Sequence, residues 1–98
     1  MKQEWLITFR SITFAQRAQR ALLSGNIPCR LQRTPKHLSE RGCGYCLRLL
    51  GVDMPMAMER LRREQVTYGK LYTLGEDGSV EEQSNDLFGE WRDVHSQA

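Results

Sequence analysis

The chain has no long apolar run. Its longest stretch free of charged residues is Ala21 to Cys29, about half of the roughly 18–20 apolar residues that a membrane-spanning helix needs. The apolar start Trp5 to Phe9 stops at Arg10, too short for a secretory leader. No membrane partner is therefore expected, and the cytoplasm is the expected compartment. The sequence also lacks a phosphate loop, a Gly-x-Ser-x-Gly nucleophile elbow, a His-Glu-x-x-His zinc motif and any internal repeat. At 98 residues it can bury one modest core but not separate cofactor and substrate domains, so no cofactor is expected. Its cysteines number three, an odd count that argues against a disulfide framework and for reduced thiols.

Charge is present in both signs but unevenly placed. Residues 1–23 carry a net +3, residues 24–52 a net +4, residues 53–74 a net +1 and residues 75–98 a net −6. The basic excess gathers at Arg30, Arg33, Lys36, Arg41 and Arg48, and the acidic excess runs from Glu76 to Asp93. No aromatic interleaving or nucleic-acid motif accompanies the basic residues, so they read as a solvated face and nucleic acid is not an expected partner.

The periodicity predicts a compact α+β order. Trp5 to Phe9 suits a buried strand. Ser11 or Thr13, the latter with Gln16 as a capping box, begins a helix whose stripe is Phe14, Ala18 and Leu22 and whose left-handed stop is Gly25. Ile27 to Arg33 reads as a second strand and Tyr45 to Leu50 as a third. Asp53 caps a second helix with Pro55 in its first turn and Met54, Met58 and Leu61 on one stripe, leaving Met56 on the other side. Tyr68 to Leu74 is a fourth strand. The resulting βαββαβ order matches a ferredoxin-like fold, a four-stranded antiparallel sheet with two helices on one face. Residues 1–74 form that domain, and 75–98 read as an acidic flexible tail in which Leu87, Phe88 and Trp91 could dock. The free edges of such a sheet leave a homodimer open.

About ten residues separate the second and third strands, where a hairpin needs two to five. Pro35 to Glu40 could wind one helical turn inside this long connection, and both Cys43 and Cys46 stand at its downstream end. A thiolate is the reactive form of cysteine, and positive neighbours favour it; Lys36, His37, Arg41 and Arg48 are the candidates. Gly42 and Gly44 strip bulk from around Cys43, so a partner's sulfur can approach in line. Cys46 lies inside the strand and is more enclosed. Equally, Cys43 can be a small residue in a glycine turn and Cys46 plain core, as Cys29 is beside Ile27 and Leu31. A thioredoxin-like dithiol is disfavoured because the pair runs into a strand and not a helix. Zinc would need Cys29 and His37 to converge on the Cys-x-x-Cys, so no metal is expected.

Leu6-Ile7-Thr8-Phe9-Arg10-Ser11, then Gly25-Asn26-Ile27-Pro28, then Thr34-Pro35-Lys36 and Ser39 through Gly42-Cys43-Gly44-Tyr45-Cys46-Leu47-Arg48 resemble a small bacterial family of selenium/sulfur carrier-like proteins, over about residues 4–74. The resemblance implies that Cys43 is a carrier thiol. It would receive sulfur or selenium from a desulfurase-type donor protein as a persulfide or selenide and pass it to an acceptor protein, with no turnover by the carrier alone. In that scheme Arg41 and Lys36 steady the anion, and Cys46 either resolves the loaded thiol or packs. The alternative from another class is a small adaptor module whose cysteines are structural.

Overall fold

The computed structural model describes residues 3–38 and 44–84. In chain order it contains β1 (Glu4–Phe9), α1 (Ile12–Ser24), β2 (Arg30–Arg33), a 3-10 turn at Lys36–Leu38, β3 (Tyr45–Leu50), a second 3-10 turn at Gly51–Asp53, α2 (Met54–Arg63), β4 (Leu71–Leu74) and β5 (Val80–Gln83). The fold is α+β, with two helices and a five-stranded antiparallel sheet in the order β2-β3-β1-β4-β5. The expected sheet of four strands is thus corrected to five. The added strand comes from the segment read as tail, where Val80-Glu81-Glu82-Gln83 carries almost no apolar periodicity. Its cause is a turn: the Gly78 amide donates to the Gly75 carbonyl (3.1 Å), the Gly75 amide to the Ser79 carbonyl (2.8 Å), and Gly78 takes φ +88°. That is a three-residue hairpin loop closed by a left-handed glycine.

The helices begin and end for local reasons. Ser11, not Thr13, caps α1, its hydroxyl accepting from the Phe14 amide. The buried stripe is Ala15, Ala18 and Leu22, so Phe14 faces outward and only two of the three expected positions point inward. The left-handed residue that stops α1 is Asn26 (φ 62°) and not Gly25. The Ile27 amide returns to the Leu22 carbonyl and the Asn26 amide to Leu23, the paired bonds of a Schellman ending. The end of α2 repeats it: Gln65 takes φ 57°, Val66 bonds Leu61 and Gln65 bonds Arg62. Ile27 and Val66, the first residues beyond each cap, are both buried and pin the chain as it turns back to the sheet. Asp53 precedes α2 but makes no side-chain capping bond. The second and fourth strands are shorter than expected, opening at Arg30 and Leu71.

Strand alternation gives the sheet two unlike faces. Trp5, Ile7 and Phe9 of β1, Leu47 and Leu49 of β3 and Leu71 of β4 form one core with Ala15, Ala18, Leu22, Met54, Ala57, Met58 and Leu61 of the helices. Both helices therefore pack on this face. Arg60 ties them together, its guanidinium donating to the Ala21 carbonyl and the Ser24 hydroxyl at 3.1 Å each. Leu6, Cys46 and Tyr72 point to the opposite, outer face and form a second cluster.

Candidate functional site

The connection between β2 and β3 is tied at its foot. The Thr34 amide donates to the Gly44 carbonyl at 3.1 Å, continuing the β2–β3 ladder one step past Arg33 and Tyr45. Inside the tie the Leu38 amide bonds the Pro35 carbonyl at 2.9 Å, which winds the expected single turn at Lys36–Leu38. Proline at its start supplies a helical φ and lacks a donor that would otherwise need a partner. Leu38 packs against the Leu6, Cys46 and Tyr72 cluster, so the turn lies on the outer face of the sheet. At the other flank the Arg33 guanidinium sits over the Tyr45 ring, 5.7 Å from its centre, a cation–π contact that braces the residue following Gly44.

Lys36 and His37 are exposed on the turn, and Gly44 stands at the tie. Cys43, Arg41 and Gly42 lie outside the described residues. Cys46 has no exposed surface; its thiol faces the Arg33 carbonyl with Sγ to O at 3.9 Å. Burial pushes this thiol above the ordinary cysteine value, and the Thr34 hydroxyl, Gln32 and Arg48 only partly offset it. The Thr34 hydroxyl oxygen is buried and makes no hydrogen bond to the neutral thiol; its influence is on the ionised form. Cys29 is half-buried and packs on the helix-side core, where burial again raises its thiol. Both described thiols are therefore pushed toward the protonated, unreactive form.

Arg48 lies on the outer face two residues from Cys46 but is engaged elsewhere. Its Nε donates to Glu4 Oε2 at 2.9 Å and its second guanidinium nitrogen to Oε1 at 2.5 Å, a two-pronged pair across β1 and β3. Hydrogen bonding to Arg48 holds the Glu4 carboxyl below the usual value, outweighing its burial, and the charges of Arg48 and Arg30 act in the same direction. Glu4, Gln32 and Leu38 thus join the site without having stood out in the sequence, and Thr34 gains a place beside Cys46. The Glu4–Arg48 pair joins residues 44 positions apart, beyond any local pattern. Thr34-Pro35 is visible in sequence as a strand break and as part of the Thr34-Pro35-Lys36 run that carries the family resemblance.

Among the described residues no three of His, Cys, Asp and Glu gather as a metal site. Cys29 and Cys46 belong to clusters on opposite faces of the sheet, so those two thiols do not share one tetrahedral centre. No helix among the described residues is long and apolar enough to cross a membrane.

A family model described as "Putative Se/S carrier protein-like" matches residues 4–73. That span runs from the start of β1 almost to the end of β4 and contains the whole β2–β3 connection. No curated protein and no solved structure matches the sequence. Because the match covers well over half of the chain, from the central strand through the tied loop, the chain belongs to this Se/S carrier-like family.

Proposed function

We propose that the protein carries sulfur or selenium on Cys43 and hands it between a donor and an acceptor protein in the cytoplasm. The observation that carries this reading is the state of the other two thiols. Cys29 and Cys46 are both enclosed and both pushed toward the protonated form by burial, which leaves Cys43, flanked by Gly42 and Gly44, as the thiol suited to exchange. Membership of the family supports the cargo. The order βαββαβ of the first six strands and helices supports reading the scaffold as ferredoxin-like, with β5 appended.

The chemistry is a redox-neutral transfer. The Cys43 thiolate attacks the outer sulfur of a persulfide on a desulfurase-type donor. A new sulfur–sulfur bond forms to Cys43, the donor's bond to that sulfur breaks, and the donor cysteine leaves as a thiolate that takes up a proton. Arg41, Lys36 and His37 supply positive charge for the loaded anion; Arg48 contributes less, being neutralised by Glu4. Cys46 serves as packing and not as a resolving thiol, since attack on Cys43 would require it to leave a site with no solvent exposure.

Intact-mass measurement after incubation with a cysteine desulfurase and cysteine tests the reading. The wild-type chain and Cys29→Ala should gain sulfane sulfur, and Cys43→Ala should not. With limiting iodoacetamide at neutral pH, label should fall first on Cys43. If Cys43→Ala still loads, or if Cys29 or Cys46 labels faster, the carrier chemistry is lost and the adaptor reading replaces it. A Cys46→Ala protein that loads but cannot unload would restore the resolving role.

A further inference from the structure

Among the described residues, the outer face of the sheet has buried side chains with too little on top of them. Leu6, Cys46 and Tyr72 are 1%, 0% and 6% exposed, the degree of burial found on the helix side, and Leu74 and Val80 extend the same apolar patch across β4 and β5. Both helices are on the other face. Among the described residues, of the apolar side chains packed on this cluster only Leu38 comes from outside the strands, and one leucine cannot cover a surface four strands wide. Solvent-excluded side chains that the described residues do not account for call for a further layer.

The chain holds a segment suited to provide it. Residues 85–98 begin one residue beyond β5, whose Val80 already belongs to the patch. They contain Leu87, Phe88 and Trp91, apolar at helical spacing, between Asp86, Glu90 and Asp93. From β5 to β3 is three strand spacings, about 14 Å. Roughly 14 residues reach about 21 Å even when fully helical, so the segment is long enough for the span. The charges also suit. Arg30 and Arg48 stand side by side in the β2–β3 register on the face that carries Cys46, with Glu4 offsetting one of them.

We propose that residues 85–98 fold back across the outer face of the sheet and seat Leu87, Phe88 and Trp91 on the patch formed by Leu6, Tyr72, Leu74 and Val80. The cover then closes over Cys46 and reaches the foot of the β2–β3 connection, placing an acidic segment of the chain beside its basic loop. This holds whether or not Cys43 carries sulfur, and its test uses no cargo.

In the full chain with Cys29→Ala and Cys43→Ala, Cys46 is the sole thiol and its alkylation reports exposure of the patch. Adding Leu87→Ser, Phe88→Ser and Trp91→Ser together should raise the Cys46 rate at least tenfold while far-ultraviolet circular dichroism keeps the α+β signal. Independently, the fluorescence difference between the wild-type chain and Trp91→Phe should give Trp91 a blue-shifted emission shielded from acrylamide. An unchanged Cys46 rate together with a fully quenchable Trp91 overturns the proposal. Shielding that appears only as protein concentration rises, with a doubling of mass in solution, also overturns it and assigns the face to a second copy.

Discussion

At the residue scale the sharpest contrast lies between two neighbours on β3. Cys46 is a polarisable group used as a hydrophobe, whereas Arg48, one pleat further along the same face, is tied to Glu4. The tie has a consequence for pH. Because the Glu4 carboxyl is held below its usual value in the folded chain, the stability it contributes is complete above that usual value. It is lost as pH falls through the lowered folded value. Both side chains are about a third exposed, so the pair contributes at most about 1 kcal/mol and less in high salt. Urea unfolding of the wild-type chain and Glu4→Gln should differ by that amount at neutral pH and converge on acidification. A difference that stays constant down to strongly acidic pH would show that the glutamate acts through packing instead.

At the element scale the β4–β5 hairpin depends on one backbone conformation. Gly78 holds φ +88° with open space where a Cβ would stand, so a side chain there meets no clash and the whole cost is dihedral. Gly78→Val should lose about 1–3 kcal/mol, Gly78→Asn markedly less, read from urea midpoints; equal stability for the valine variant would mean that β5 adds nothing to the fold. This hairpin also shows what was legible in the sequence and what was not. The short aromatic and β-branched run Trp5 to Phe9 and the helical spacing of Ala18 with Leu22 and of Met54, Met58 and Leu61 reveal β1, α1 and α2, because the signal of each is written locally. Val80 to Gln83 buries almost nothing and is a strand because β4 offers it an edge and Asp77-Gly78 turns the chain. The end of α1 shifted by one residue, since Asn26 tolerates the left-handed conformation expected of Gly25. At the candidate site the exposed Lys36 and His37 could be read from the sequence, whereas Gly42, Cys43 and Arg41 lie outside the described residues. Glu4 and Gln32 could not be read from it, because what brings Glu4 to Arg48 and Gln32 to Cys46 is strand register, a long-range property.

At the scale of the whole molecule the two edges of the sheet differ in sign. The β2 edge carries Arg30 and Arg33, and the β5 edge carries Glu81 and Glu82. Pairing two copies through the same edge sets like charges opposite one another, which is destabilising. Sedimentation at micromolar concentration and low salt should therefore find a monomer, and a dimer strengthened at low salt would contradict this account of the edges. The central position of β1 has a further effect, on the timing of synthesis. Its two neighbours are β3 and β4, with Ile7 opposite Leu47 on one side and Leu71 on the other, so the first strand translated is among the last to be enclosed. At the usual 5–20 residues per second, roughly 3–12 s pass between translation of β1 and arrival of its second neighbour. Until β3 emerges, a ribosome-bound chain has only the stripe of α1 to cover Trp5 and Ile7, and until β4 emerges one edge of β1 stays unpaired, which makes the nascent protein, more than the finished one, a natural client for chaperones.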